Sequence, residues 1–344
     1  MNKPDDDVGA APPSGLTFSA ARFTRRFAGL GLHEAHLSVR GFEAVTSQAR
    51  SALEEAGMAF VQGYNYTLGT SETAAIGQSS RICTPRLRGF FMEGAAMGVG
   101  VRDAMPWHML SKAKLPIFLT SAAVEHPYLT TVGAGWAMAR LPWRRSRIFQ
   151  SLDGLLAPLA FDGWGFHDCY FRRADVLMGP ARAVSQMAGP LGVRAWDQGA
   201  GRALWFVCGG SIDKAAGLIA TTLAERRSDL FAGLGLAVTY AGGIEPSDAE
   251  ALLSAAGPFR WHVAQGAAFA LEAHIRARTE TPDSLLRGAI LTGVDACSAV
   301  EIVRAAMPAR TGNFGGVTAQ SWTLYERWRT CVSHQLEKAA GETR

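Results

Sequence analysis

Apolar residues recur three and four positions apart over several stretches of the chain, which is the spacing of one face of an α-helix. Residues 263–277 place Gly266, Phe269, Ala270 and Ala273 on one such face. Residues 321–338 carry a single stripe of large residues: Trp322, Tyr325, Trp328, Val332 and Leu336. Only residues 207–210, which follow Trp205-Phe206, suggest a short strand. The pattern therefore predicts a mainly α-helical protein.

Local signals place two helix boundaries. Pro246-Ser247-Asp248 has the composition of a first helical turn, because proline fits there and an acidic residue complements the helix dipole. Gly257-Pro258 follows as a stop signal. Residues 51–58 consist largely of strong helix formers.

A hexapeptide occurs twice, at residues 27–32 and 231–236, and a looser version occupies residues 131–136. A second glycine-containing signature follows each copy, at Gln62-Gly63, Asp162-Gly163 and Gln265-Gly266. Self-similarity of this kind predicts a repeat architecture. We expect one globular body, with a triplicated helical domain over residues 21–312 and repeats at about 25–110, 126–220 and 228–308. A disordered tail (1–20) and an amphipathic C-terminal helix (313–344) flank it.

Glycine is abundant, at 38 of 344 residues. A glycine inside a helix costs roughly 1 kcal/mol relative to alanine, so its repeated use needs a compensating gain. Small residues allow two helix backbones to approach closely. A dinucleotide-binding loop is disfavoured, since no copy shows the full Gly-x-Gly-x-x-Gly pattern after a strand. The glycines are therefore interpreted as packing devices.

Charge and composition exclude several classes of protein. The net charge is +4 and the basic residues are dispersed, with no nucleic-acid-binding motif. Arg144, Arg145 and Arg147 form the densest basic group, either as a solvated helix end or as a contact for phosphate or a lipid headgroup. No apolar run reaches 18 residues, and the five cysteines are widely spaced. We expect a cytoplasmic protein, with membrane association only through a partner.

Three side chains are candidates for acid–base chemistry. Asp162 stands where the other two copies have glutamine, His167 lies beside Asp168, and Glu93 lies in an apolar helix rich in small residues. A carboxylate in such surroundings is costly to bury without a partner, and burial raises its pKa. The alternative interpretation is a core segment whose polar groups only cap neighbouring helices.

Aromatic residues around these groups are candidates for binding an apolar ligand. The predicted substrate-binding residues are Trp136, Trp164, Phe166, Tyr170, Trp205 and Gln265. No metal site is predicted, because His33-Glu34-Ala35-His36 lacks the His-Glu-x-x-His spacing. No cofactor fingerprint is evident.

Several segments together resemble a known family. They are residues 93–97, 126–128, 133–143, 162–167, 202–206, 229–243 and 265–269. Their combination resembles a bacterial family of unknown function, often called UnbL-like, that accompanies iterative polyketide synthases in enediyne gene cassettes and some polyene clusters. The resemblance covers residues from about 22 to about 310. It implies a role after the synthase, in converting a linear polyene into an enediyne core or precursor, and it supplies no catalytic residues.

Three functions stay open at this point. The first is an enzyme, or an essential enzyme subunit, that isomerises or cyclises a long apolar polyene by acid–base chemistry. The second is a non-catalytic scaffold that presents such a ligand to a membrane-embedded cassette protein. The third is a protonation-initiated isoprenoid or polyene cyclase, since the metal-dependent Asp-Asp-x-x-Asp motif is absent from the sequence.

Overall fold

The computed structural model describes residues 24–70, 72–106, 113–180, 182–308 and 317–342. Its helices in the first half are α1 (Ser47–Gly69), α2 (Thr73–Ser80), α3 (Arg88–Asp103), α4 (Leu115–Thr120), α5 (Pro127–Arg140), α6 (Arg145–Gln150) and α7 (Leu159–Met178). Those in the second half are α8 (Arg182–Val207), α9 (Ile212–Ala220), α10 (Ala224–Ala241), α11 (Glu250–Ala256), α12 (Arg260–Ala277), α13 (Pro282–Thr292), α14 (Ala296–Ala305) and α15 (Ala319–Glu342). The predicted mainly helical class is confirmed.

Local sequence explains several helix ends. The Thr46 side chain accepts a hydrogen bond from the Ala49 amide at the start of α1, and Ser211 does the same for α9. Thr281 and Ser284 form a reciprocal capping box on α13. Gly189 interrupts α8 with a φ of 59°, a conformation that favours glycine, directly before Pro190.

Seven long helices form a row in which each packs against the next: α1, α3, α5, α7, α8, α10 and α12. The contacts run through glycine. A Cβ atom at Gly63 of α1 would lie 1.9 Å from the Phe91 carbonyl oxygen of α3, and one at Gly94 would lie 1.9 Å from the Phe60 oxygen of α1. Equivalent contacts follow along the row at Gly133, Gly135, Gly163, Gly165, Gly199, Gly201, Gly233, Gly235 and Gly266. The interpretation of the glycines as packing devices is confirmed.

The Gly-x-Gly spacing follows from helix geometry. Positions two residues apart on a helix face nearly opposite sides. A helix inside the row therefore uses one glycine for each of its two neighbours. On α5, Gly133 faces the Glu93 carbonyl of α3, whereas Gly135 faces the Ala160 carbonyl of α7. The glycine contacts therefore recur once per long helix, at spacings of 30 to 39 residues between residues 63 and 266.

The expected equivalence of three 100-residue copies is not confirmed. Gly233 and Gly235 lie in the middle of α10, but Gly31 has extended backbone and precedes a short 3-10 helix (Leu32–Ala35). Gln62 is exposed, whereas Gln265 and Asp162 are buried. The prediction that these three side chains face one shared interior is therefore wrong. The identical hexapeptides serve different local structures.

Other boundaries follow the sequence closely. A 3-10 turn starts at Pro246, and α11 ends before Gly257. The striped C-terminal segment forms α15, which buries Tyr325, Trp328 and Leu336. The short strand suggested at residues 207–210 is wrong, because Val207 ends α8 and residues 208–210 form a turn. The predicted tail at residues 1–20 lies outside the described residues.

The row bends so that distant helices meet around a common interior. The ring of Tyr240 on α10 packs against Phe90 on α3 at 5.2 Å between centroids. The Tyr128 hydroxyl of α5 donates a hydrogen bond of 3.2 Å to Glu272 of α12. Among the described helices, none combines the length and apolar character needed to cross a membrane. The bend brings polar groups from α3, α7 and α8 together at the centre.

Candidate functional site

A cavity of ≈ 430 Å³ lies between α1, α3, α5, α7, α8 and the segment before α1. Most of its wall is apolar or aromatic, formed by Leu53, Ala56, Phe60, Val61, Phe90, Met97, Trp136, Phe166, Tyr170, Phe171 and Phe206. Its polar lining groups are Glu34, Arg40, Glu93, Arg140, His167 and Arg202. A size of this order and a few polar groups in an apolar wall are typical of sites for small molecules.

The cavity has a buried floor and a charged rim. At the floor, Glu93 and Arg202 are almost inaccessible to solvent. At the rim, Arg140 and Phe171 are exposed. The Arg40 guanidinium lies 4.6 Å from the centroid of the Phe171 ring and also pairs with Glu34. A ligand would therefore enter past charged side chains and reach Glu93 last.

The segment before α1 closes one side of this rim through its backbone. Asn65 of α1 accepts a hydrogen bond from the Leu30 amide at 2.9 Å and donates one to the Leu30 carbonyl at 2.6 Å. The Tyr64 hydroxyl donates to the Ala28 carbonyl at 2.8 Å, and Phe42 packs edge-on against Tyr170. These contacts fix Leu30 as part of the cavity wall.

Glu93 is the acidic group at the cavity floor. Its Oε1 atom accepts a hydrogen bond of 3.1 Å from the indole nitrogen of Trp136, and it lies 3.7 Å from the nearest Arg202 nitrogen. Burial raises the pKa of Glu93 from 4.5 to about 7; Arg202 opposes this shift and the nearby Asp162 adds to it. Both protonation states of Glu93 are therefore accessible near neutral pH.

Asp162 lies behind Glu93 and competes for the same cation. Its carboxylate pairs directly with Arg202 and accepts a hydrogen bond of 2.8 Å from Gln198. Asp162 and Arg202 also line a second, smaller chamber of ≈ 40 Å³, together with the buried hydroxyl-bearing Tyr240. Two carboxyl groups thus share one guanidinium, and the closer pairing belongs to Asp162. Glu93 is left with the weaker ionic contact.

His167 stands on the cavity wall, about one helical turn from Tyr170 and Phe171. Its Nδ1 atom lies 3.3 Å from an Asp168 oxygen, and its ring meets Trp136 edge-on at 5.6 Å. Burial lowers the pKa of His167, and Asp168 only partly offsets that effect. Asp168 is shared with Arg172, at 2.5 Å. A neutral imidazole facing the cavity can accept a proton from a ligand.

Comparison with known proteins places the chain in a family. The model of a family described as "Protein of unknown function (DUF1702)" matches residues 20–336. The chain belongs to the DUF1702 family. No curated protein and no solved structure matches the chain.

In this DUF1702 member, the cavity brings together five of the predicted site residues: Glu93, His167, Trp136, Phe166 and Tyr170. Asp162 does not line the cavity, but it reaches Glu93 through Arg202.

The other three predicted residues lie elsewhere. Trp164 points away from the cavity and stacks under the Arg145 guanidinium at 4.0 Å. Trp205 donates a hydrogen bond of 2.9 Å to the Gly242 carbonyl. Gln265 is buried on α12 and is absent from the cavity wall. The substrate-binding assignment of these three residues has no support from their positions.

Arg202 lines the cavity and pairs with both Glu93 and Asp162, and it was not among the predicted site residues. It begins residues 202–206, one of the segments that carry the family resemblance, but no role was predicted for it from the sequence. A signal was available, because two carboxyl groups predicted to be buried need a counter-ion. Within the described residues, no group of three or more His, Cys, Asp or Glu side chains is arranged to hold a metal ion.

Proposed function

We propose that this protein binds a long, apolar, conjugated molecule in the 430 Å³ cavity and transfers protons to and from it through Glu93. The observation that carries the proposal is the carboxyl group of Glu93, buried at the floor of an aromatic cavity and held by Trp136. The resemblance to proteins of enediyne and polyene cassettes supports a polyene, as part of antibiotic or other secondary metabolism. Family membership alone does not specify a substrate.

The proposed reaction conserves atoms and electrons. The protonated Glu93 donates its proton to one end of a conjugated double-bond system, which becomes a delocalised cation. Loss of a proton from another carbon, to the Glu93 carboxylate or to His167, gives an isomer with a shifted double bond or a new ring. The faces of Trp136, Phe60 and Phe166 surround the cation and stabilise it. No redox cofactor is needed for this step.

Arg202 and Asp162 influence the pKa of Glu93 and so the fraction of Glu93 that is protonated for the first step. An acid catalyst works best when its pKa lies near the working pH, and the pKa of Glu93 is about 7. A stronger ion pair with Arg202 would hold Glu93 as a carboxylate and remove the donor. Because Glu93 is buried and Asp162 takes the closer pairing with Arg202, the protonated form of Glu93 persists to neutral pH. The rate should therefore fall as the pH rises through about 7.

The test uses purified full-length protein and a purified linear conjugated polyene. Binding is measured by the change in polyene absorbance, and conversion by chromatography with mass detection. We expect a product of unchanged mass from the native protein, and binding without conversion for Glu93→Gln. Glu301→Gln is the matched control, because Glu301 is exposed and lies outside the cavity.

If the native protein and Glu93→Gln both bind the polyene but neither converts it, the scaffold function is favoured over catalysis. Full conversion by Glu93→Gln would overturn the role of Glu93. Absence of binding would overturn the choice of ligand.

A further inference from the structure

Two exposed aromatic side chains line one shallow groove beside the cavity. Phe27 is 74% exposed and Trp143 is 72% exposed, among the highest values for large apolar residues in the described chain. Met105, Pro106 and Leu141 complete the apolar floor of the groove. Exposed tryptophan next to other apolar residues is characteristic of surfaces that meet a partner or a lipid interface.

Basic side chains border this groove. Arg144 lines it and also lines the adjoining depression with Arg147. Arg25 and Arg26 precede Phe27 and are exposed. The neighbouring acidic group, Asp103, is used internally, since its carboxylate accepts hydrogen bonds from the Lys114 and Leu115 amides at 2.7 and 2.9 Å. The face therefore carries an excess of positive charge around its aromatic centre.

The same face continues into the rim of the cavity. Arg140 lines the cavity and Leu141 lines the groove, although they are adjacent in the chain. Leu30 lines the cavity wall, three residues after Phe27. The groove therefore lies next to this end of the cavity.

We infer that the face formed by Phe27, Trp143, Arg144 and Arg147 docks on an anionic lipid bilayer and exchanges an apolar ligand between bilayer and cavity. Tryptophan rings favour the headgroup region, and arginines are attracted to an anionic leaflet. Charge complementarity selects an anionic membrane over a neutral one. Docking does not require catalysis at Glu93; only the identity of the exchanged ligand rests on the proposed function.

The test is flotation of the full-length protein with vesicles of two compositions. One is pure phosphatidylcholine, and the other contains equal parts of phosphatidylcholine and phosphatidylglycerol. We expect flotation with the anionic vesicles alone, weakened by added salt. Phe27→Ala/Trp143→Ala should remove most of the bound fraction. Arg144→Gln and Arg147→Gln should each weaken binding by about five-fold.

Ile82→Ala is the matched control for the aromatic variants. Ile82 is 88% exposed but precedes the N-terminal end of α3, whereas the groove adjoins the C-terminal end of that helix. All these positions are on the surface, so circular dichroism should confirm unchanged folding.

Failure of the native protein to float with anionic vesicles would overturn the inference. Equal loss of flotation on Ile82→Ala would also overturn it. A dimer in solution that Trp143→Ala dissociates, without vesicle binding, would assign the face to a second copy of the chain instead.

Discussion

Alanine in place of Gly163 tests whether the glycine contacts hold the row of helices together. Gly163 lies on α7, and a Cβ atom there would sit 1.9 Å from the Val132 carbonyl oxygen of α5. Ordinary contacts of this kind begin at 3.4 Å, a shortfall of roughly 1.5 Å. The obstructing atom belongs to the backbone, so it cannot rotate away. α5 and α7 must separate.

The magnitude follows from two opposing effects. Alanine favours the helix over glycine by about 1 kcal/mol. Forcing extra volume into a packed interior costs typically about 1–3 kcal/mol, and parting two helices also forfeits contacts along their length. Since a whole helix pair must move, we expect the upper part of that range to apply. After subtraction of the gain in helix propensity, the net destabilisation of Gly163→Ala should be about 2 kcal/mol.

Urea unfolding followed by far-ultraviolet circular dichroism measures the effect. Gly217→Ala is the control, because Gly217 is exposed within α9 and a Cβ atom there would meet nothing within 4 Å. That variant should gain about 0.5–1 kcal/mol from helix propensity and the less flexible unfolded chain. The two alanine variants should therefore move the midpoint in opposite directions.

Either of two results would refute the reasoning. If Gly163→Ala unfolds at the native midpoint, the close backbone contact is not required. If Gly217→Ala loses as much stability as Gly163→Ala, the glycines serve flexibility rather than close packing.

Three further predictions concern buried charged groups. Because burial raises the pKa of Glu93 from 4.5 to about 7, the folded state binds more protons between these values, and stability should fall by about 3 kcal/mol as the pH rises through them. Glu93→Gln should remove this slope in urea unfolding; an unchanged slope would contradict it. Burial lowers the pKa of His274 from 6.5 to about 4. The contribution of neutral His274 to the free energy of unfolding is therefore complete above pH 6.5 and is lost as the pH falls towards 4. His274→Gln should flatten this acid limb in thermal melts, and an equally steep limb would argue against it. The buried pair of Arg226 and Asp197 lies at 2.7 Å. Arg226→Met should lower the free energy of unfolding by about 3–5 kcal/mol, and adding Asp197→Leu should restore much of the melting temperature. If the second substitution restores nothing, the unpaired Asp197 carboxylate is not the cause of the lost stability.

The fold class was predictable because helix signals are local. The stripe at residues 321–338 and the boundaries at Pro246 and Gly257 depend on neighbours in the chain, and the structure has helices there. The long-range arrangement was not predictable in the same way. One copy of the hexapeptide includes extended backbone at Gly31, and the identical copy lies in the middle of α10, because tertiary contacts outweigh local sequence.

The candidate site was predictable in its chemistry more than in its geometry. Glu93 was identified because a carboxylate in an apolar helix is costly to bury without a partner. Asp162 was identified mainly by comparison with Gln62 and Gln265, and the structure does not confirm that these positions are equivalent. Two buried carboxyl groups indicated that a counter-ion was needed, but the sequence did not identify Arg202 as that counter-ion, since the contact depends on which helices are neighbours in space. Trp164 and Phe166 show the same limit. They lie two residues apart on α7 and so face opposite sides, but an aromatic-rich segment does not reveal which side holds the cavity.

The order of the helices in the row has a consequence for synthesis of the protein. Each glycine contact joins helices that follow one another closely in the chain, so packing can proceed from the N-terminus while later segments are still on the ribosome. The ion pairs among Glu93, Asp162 and Arg202 differ from these glycine contacts, because Glu93 and Arg202 are farther apart in the chain. Glu93 and Asp162 meet their shared cation only when Arg202 has emerged with α8. Until then, the nascent chain holds two acidic groups in an apolar array without their partner. Assembly of the first five long helices is therefore complete only when the Arg202 guanidinium pairs with Glu93 and Asp162.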